Sequence, residues 1–190
     1  MKFSTILLCS IILLMTVSSL QAAEAILYAG AQKPGEITFT SDDIDLPGDI
    51  LEGGWGGTYG IRYSGGRILG FEQNISFSPR FGRSGVHAFQ MDTNLVLQTP
   101  TRIAPYATAG LGFINTWGQK YPDDLDPEKI ASSAFNIGHE FSFNYGGGVK
   151  VRRCFGPAGL NFDFRGYTIP GARDDSLNFI QMSIGLMFSW

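Results

Sequence analysis

Charged residues are scarce in this chain of 190 residues: they make up 16% of it, against roughly 25% in an average soluble domain. Disorder is excluded, because 44% hydrophobic residues provide a large apolar surface to bury. The formal net charge of -3 leaves no basic surface, so nucleic acid is not an expected partner. Helical bundles are excluded by the 25 glycines and 9 prolines, which interrupt helical periodicity.

Long apolar runs are missing too, except directly after the N-terminal Met-Lys pair. That run is followed by small residues, which is the pattern of a secretory signal peptide. Residues 1–25 are therefore predicted to be a cleaved leader and residues 26–190 a single mature domain. Cleavage after Ala25 fits the small-x-small rule best, while cleavage after Ala22 or Ala23 is an alternative. An uncleaved transmembrane anchor is a second alternative, since the run is close to the minimum spanning length.

The remaining sequence alternates between apolar and polar residues with a period of two, which predicts β-strands. The C-terminal segment is the clearest case, because its large apolar residues alternate with small or polar ones. Eight strands are predicted, at residues 26–32, 55–64, 67–78, 86–97, 102–115, 140–152, 159–168 and 178–190. Several exceed the roughly 5–6 residues of an average strand and match a tilted strand that crosses a membrane.

The predicted connections alternate in length. The longer ones include the acidic segments 33–54 and 116–139, as well as 169–177, whereas short turns join the intervening strands. Outer-membrane barrels have this parity, with short turns in the periplasm and longer loops outside. The polar faces are rich in Gly, Ser, Ala and Asn, which favours a narrow lumen. We predict an all-β, eight-stranded, antiparallel, up-and-down transmembrane β-barrel, and a soluble periplasmic β-sandwich is the alternative.

Seven charged residues fall on the polar faces of the predicted strands: Arg62, Glu72, Asp92, Lys150, Arg152, Asp163 and Arg165. Isolated charges are costly in a dry interior. These three acids and four bases therefore predict a lumenal ion-pair network, in which the sequence does not assign partners. A barrel of eight strands is filled by side chains and is too narrow for an open aqueous channel.

Several segments resemble the OmpA/OmpX-like outer-membrane β-barrel domain family, and the resemblance covers nearly all of the predicted mature chain. They are the glycine-rich run 53–63 with Gly70-Phe71-Glu72, the strand 146–151, Asp163-Phe164-Arg165 and the terminal Phe188-Ser189-Trp190. The resemblance implies that the barrel assembly machinery recognises the C-terminal strand through Ile184, Leu186, Phe188 and Trp190. It also implies the outer membrane of a Gram-negative bacterium, with outer-membrane lipid and lipopolysaccharide as partners.

The predicted function is structural or adhesin-like, with the outer loops 33–54 and 116–139 presented to an extracellular surface ligand. No cofactor is predicted. Aromatic residues near strand ends are expected at the membrane interface, namely Trp55, Tyr59, Tyr63, Tyr106, Tyr145, Phe188 and Trp190.

A lipid A-modifying enzyme, of the deacylase or acyltransferase type, is the alternative function. Lipid A deacylases carry a His-x-Ser-Asn stretch after an aromatic-Arg pair, whereas residues 164–168 of this chain read Phe-Arg-Gly-Tyr-Thr. Nucleophilic catalysis needs a hydroxyl with a base within hydrogen-bond reach, so this departure argues against a deacylase. The remaining catalytic candidates are the rim histidines His87 and His139, the latter with Ser142 or Ser133.

Two acidic clusters and one thiol complete the candidates. Asp42-Asp43-x-Asp45 and the cluster at 123–128 offer the oxygen ligands that divalent cations prefer, but neither has EF-hand spacing. Solvated loop charge is the favoured interpretation, and no metal site is predicted. Cys154 is the only cysteine outside the predicted leader, so it has no internal disulfide partner and either pairs with another chain or stays free.

Overall fold

The structure is a computed structural model, and it describes residues 23–38, 50–82, 85–118, 137–172 and 175–190. The described residues form ten strands: β1 (Ala23–Pro34), β2 (Glu36–Thr38), β3 (Ile50–Glu52), β4 (Gly56–Gly65), β5 (Leu69–Ser78), β6 (Val86–Gln98), β7 (Ile103–Gly118), β8 (His139–Phe155), β9 (Ala158–Ala172) and β10 (Asp175–Ser189). Over these ranges, no helix has the length and apolar character needed to cross a membrane.

Eight of the strands form a closed barrel in the order β1-β10-β9-β8-β7-β6-β5-β4. Every neighbouring pair is antiparallel, and β1 closes the barrel by pairing with β10 on one side and β4 on the other. β2 and β3 form a separate two-stranded ribbon within the connection from β1 to β4. The predicted eight-stranded, up-and-down barrel is thus confirmed.

The two ends of the barrel differ in their connections. Short turns at residues 66–68, 99–102 and 156–157 lie at the same end as the start of β1 and the end of β10. The strand ends that flank the longer connections, at residues 35–55, 79–85 and 119–138, lie at the opposite end. We call these the periplasmic end and the outer end, following the arrangement of outer-membrane barrels.

The connection between β9 and β10 differs from the prediction of a nine-residue loop. Both strands extend beyond their predicted limits, so only residues 173–174 separate them. Ile169 pairs with Leu177 in the added ladder, and both side chains are buried. The burial of these apolar side chains explains why pairing continues beyond the alternating segments.

The alternation of side chains along the strands separates two environments. Apolar side chains such as those of Leu69 and Ile103, which are 65% and 63% exposed, point outward. Arg62, Glu72 and Arg165, each 0% exposed, point into the lumen. This is the reverse of a soluble β-sandwich and is the pattern of a barrel in lipid.

Glycine creates space where lumenal side chains lie against the wall. A Cβ atom added at Gly112 would lie 2.2 Å from Asp92 Oδ1, and one at Gly110 would lie 2.0 Å from Asn94 Oδ1. Both glycines belong to β7 and face side chains of β6. A larger residue at either site would compete with these polar groups for the same space.

Candidate functional site

The centre of the lumen holds an ion pair between opposite walls of the barrel. Arg165 Nη1 on β9 lies 2.8 Å from Glu72 Oε1 on β5, and both side chains are fully buried. In the strand order, β5 and β9 are four positions apart in either direction, so this pair crosses the whole lumen. Asn94 donates a hydrogen bond of 2.9 Å to the same Glu72 oxygen. The barrel is therefore filled at its centre.

A second carboxylate joins the central pair to another strand. Asp163 lies 2.9 Å from Arg62 Nη2 and 2.9 Å from Arg165 Nε, and it also accepts a hydrogen bond from the hydroxyl of Tyr106. Arg62 donates further to Asn161, at 3.2 Å. Two arginines and two carboxylates, counting Glu72, thus balance their charges in a fully buried cluster, which we call the central quartet (Arg62, Glu72, Asp163 and Arg165).

Asp92 lies nearer the outer end, and its hydrogen-bond partners are neutral side chains. Its carboxylate accepts hydrogen bonds from Asn74 at 2.8 Å and from Gln90 at 3.1 and 3.2 Å. Among the residues that the structure describes, no cation forms an ion pair with it. In the described structure, the hydrogen bonds that hold Asp92 in the lumen therefore come from amides.

The two remaining bases of the predicted network lie at the periplasmic end. Lys150 Nζ lies 2.6 Å from Glu24 Oε2, and Arg152 Nε lies 2.6 Å from Glu24 Oε1. Gln98 accepts a hydrogen bond of 3.0 Å from each base. Their carboxylate partner is thus a residue that the sequence interpretation assigned to the leader.

An apolar cluster occupies the outer end of the lumen, and we call it the outer cap. Its buried members are Phe81, Val86, Ala88, Ile114, Tyr167, Ile169, Leu177 and Phe179. Phe81 comes from the connection between β5 and β6, and its ring meets that of Phe179 edge-on at 5.4 Å. Tyr167 stacks on Phe179 at 4.5 Å. The lumen therefore holds polar groups at its centre and periplasmic end and apolar groups at its outer end.

Several polar residues of the lumen were missed by the sequence interpretation. Tyr106 was expected at the membrane interface, but it is 7% exposed and bonds to Asp163 inside the barrel. Tyr28 is also inside, where its hydroxyl donates to Asn74 at 2.8 Å and its ring lies under the Arg62 guanidinium at 4.1 Å. Strand parity would have identified both tyrosines, since each occupies an inward position.

The two histidines do not form a catalytic pair with a hydroxyl in the described structure. His87 packs beside the rings of Phe77 and Trp117, at centroid distances of 6.2 and 5.9 Å, and those two rings also contact each other at 6.0 Å. His139 is exposed, whereas Ser142 on the same strand is fully buried and faces the lumen. The suggested pair of His139 with Ser142 is therefore on opposite faces of the wall, and Ser133 lies outside the described residues.

The remaining sequence candidates lie at the barrel surface or outside the described ranges. Ile184, Leu186, Phe188 and Trp190 all point outward and are 38–68% exposed. Cys154 is half-buried near the end of β8, and its thiol donates to the Val151 carbonyl at 3.3 Å. Both acidic clusters fall outside the described residues. Among the described residues, no group of three or more His, Cys, Asp and Glu side chains is arranged to bind a metal ion.

Comparisons with solved structures agree with this architecture. Neisserial surface protein A, NspA, has a TM-score of 0.64 at 12% identity and covers 88% of this chain and 97% of its own. AlkL, solved by solid-state NMR in lipid bilayers, has a TM-score of 0.51 at 12% identity and covers 89% of each chain. The outer membrane enzyme PagL has a TM-score of 0.47 at 14% identity, with 87% and 98% covered. The likenesses to NspA and AlkL concern the fold alone, and nothing is inferred from the likeness to PagL.

Comparison by sequence identifies the family directly. No curated protein matches the chain significantly. A family model described as "Outer membrane protein beta-barrel domain" matches residues 7–189, which is nearly the whole chain. The match and the closed barrel with its apolar exterior confirm the resemblance inferred from the motifs. The chain is a small outer-membrane β-barrel and belongs to the outer membrane protein beta-barrel domain family.

Proposed function

We propose that this protein is a non-enzymatic scaffold that holds its outer loops at the cell surface for interaction with an extracellular ligand. The observation that carries the proposal is the closed lumen. The Arg165–Glu72 pair crosses the barrel, and the outer cap with Phe81 lies above it. A barrel filled in this way offers no aqueous path for a solute, so its outer surface is the part left for interaction.

The outer loops 33–54 and 116–139 are the proposed interaction elements. Their acidic composition distinguishes them from the periplasmic turns, two of which carry Arg67 and Arg102. Part of the first loop is the β2–β3 ribbon, and Gly35 N donates to Asn178 O on β10 at 2.6 Å beside it. Such backbone bonds tie the base of the loop to the barrel wall.

Lipid and the assembly machinery are proposed as partners of the outward face. The exposed apolar belt requires outer-membrane lipid, and lipopolysaccharide is the expected contact at the outer end. The assembly machinery is proposed to recognise Ile184, Leu186, Phe188 and Trp190. The first three form one outward row on β10, and Trp190 follows directly after the strand. Export through the inner membrane is proposed to depend on the N-terminal leader.

Loop replacement tests the proposed function. Bacteria that display the protein are compared with bacteria whose copy has residues 39–49 and 119–136 replaced by short Asn-Gly turns. The control variant replaces the periplasmic turn 156–157 by Asn-Gly. We expect bacteria with the wild type or the control variant to adhere to an epithelial monolayer more strongly than bacteria with the loop variant. The loop variant should keep its heat-modifiable gel mobility, which shows that it is folded. Equal adhesion of the wild type and a folded loop variant would contradict the proposal.

A further inference from the structure

Glu24 is the ionic partner of both bases at the periplasmic end of the lumen. Its carboxylate is 2.6 Å from Lys150 Nζ and 2.6 Å from Arg152 Nε, and it accepts a hydrogen bond of 3.3 Å from Ser64. The side chains of Lys150 and Glu24 are 0% and 7% exposed, so water does not replace either partner. Both oxygens of this carboxylate are thus used inside the barrel.

Without Glu24, the two bases would not be affected equally. Arg152 is partly exposed and also donates to the carbonyls of Thr99 and Thr101. Among the contacts of the described chain, Lys150 would keep only neutral partners: Gln98 Oε1, Ser64 Oγ and the ring of Tyr106 at 5.2 Å. A fully buried ammonium group without a counter-ion is strongly unfavourable. Loss of Glu24 therefore acts mainly through Lys150.

Ala23 adds a backbone role to this segment. It pairs with Gly65 at the start of β1, and its carbonyl accepts a hydrogen bond of 3.2 Å from the backbone N–H of Trp190. The C-terminal residue of the barrel is thus held by the first residue of β1. Cleavage after Ala23 would remove both of these contacts, and cleavage after Ala25 would remove Glu24 as well.

We propose that export processing cleaves the Ala22–Ala23 bond, so that the mature chain begins at Ala23 and keeps Glu24 as the counter-ion of Lys150. The signal peptidase hydrolyses this bond, and water supplies the hydroxyl to the new Ala22 carboxyl and the proton to the Ala23 amine. The proposal rests on the proposed leader. The peptidase acts on the unfolded chain, so the ion pair does not direct it. Instead, cleavage after Ala22 yields a chain that keeps both Glu24 for Lys150 and the Ala23 carbonyl for Trp190.

The first test is the intact mass and N-terminal sequence of protein purified from outer membranes. We expect a chain that begins Ala-Glu-Ala-Ile-Leu at residue 23. A chain that begins at Glu24 or Ile26 would overturn the proposal while leaving the leader in place. Protein that still carries residues 1–22 would overturn the leader itself, so the two failures are distinguishable.

The second test measures whether Glu24 acts as a counter-ion. The urea midpoint of unfolding is compared for the wild type, Glu24→Gln, Lys150→Met and the Glu24→Gln/Lys150→Met double variant, with Lys33→Gln on the same strand as control. We expect Glu24→Gln to lower the midpoint and the double variant to recover part of the loss. If Glu24→Gln does not fold, recovery of a folded double variant supports the same conclusion. An unchanged midpoint for Glu24→Gln, or a double variant with no recovery, would overturn it.

Discussion

Removal of the charge of Glu72 should destabilise the barrel far more than removal of the charge of Asp92. The two carboxylates are both buried in the lumen, at 0% and 1% exposure. Glu72 balances the central quartet through its 2.8 Å pair with Arg165. In Glu72→Gln, the two arginines of the quartet would face only Asp163. In Asp92→Asn, no ion pair is lost among the contacts described for that residue.

The magnitude follows from the geometry of the pair. Charge centres about 4 Å apart attract each other by about 4 kcal/mol at an effective dielectric constant of about 20. Breaking a buried pair by removal of one partner costs about 3–5 kcal/mol. We therefore expect Glu72→Gln to lower the free energy of unfolding by about 4 kcal/mol. Asp92→Asn loses no ion pair among the described residues, but it replaces one acceptor oxygen by a donor that faces the amide N–H groups of Asn74 and Gln90. It should therefore lower the free energy of unfolding by about 1–2 kcal/mol.

The assay is equilibrium urea unfolding in phospholipid vesicles, followed by heat-modifiable gel mobility. A Glu72→Gln/Arg165→Met double variant serves as the internal check, because it leaves Arg62 paired with Asp163 and restores neutrality. We expect this double variant to be more stable than Glu72→Gln alone. Equal losses for Glu72→Gln and Asp92→Asn would refute the reasoning, because the loss would then not depend on an ion-pair partner.

Three further predictions concern the outer cap, the barrel wall and the histidines. Phe81→Ala should lower the free energy of unfolding by about 3 kcal/mol or more, because it leaves a cavity in the cap; urea unfolding that matches the wild type would contradict this. Gly148→Ala should lower the urea midpoint, since its Cβ would lie 1.9 Å from a cross-strand carbonyl, whereas Gly57→Ala meets nothing closer than 3.6 Å and should not. His87→Ala/His139→Ala should leave lipid A acyl composition, measured by mass spectrometry, identical to that of wild-type cells, and a histidine-dependent change would support an enzyme instead.

The barrel was predictable because one rule governs each strand. Lipid selects apolar side chains at every second position and the lumen selects small or polar ones, so parity alone assigns a residue such as Arg62 or Glu72 to the interior. The order of strands follows from the same pattern, since short turns join antiparallel neighbours. The partners of the charges were not predictable, because a pair that crosses the lumen depends on the stagger of opposite strands.

The outer cap and Glu24 were missed for different physical reasons. Within the cap, Ile169 and Leu177 point inward although they are apolar, so the alternation fails and the predicted strands end at 168 and begin at 178. Glu24 follows an apolar run whose composition favours export, and the small residues around it satisfy a cleavage rule. The local sequence therefore did not indicate that Glu24 belongs to the barrel, because its partners lie more than 120 residues away.

The conductance of the folded protein in planar lipid bilayers tests most directly whether the lumen is closed. Heat-modifiable wild-type protein is inserted at defined concentration, with a general porin as the positive control. The pair between β5 and β9 and the outer cap predict no stable open-channel steps for the wild type, although the porin conducts under the same conditions. Large, long-lived conductance steps in proportion to the inserted protein would contradict the filled lumen and the scaffold function derived from it.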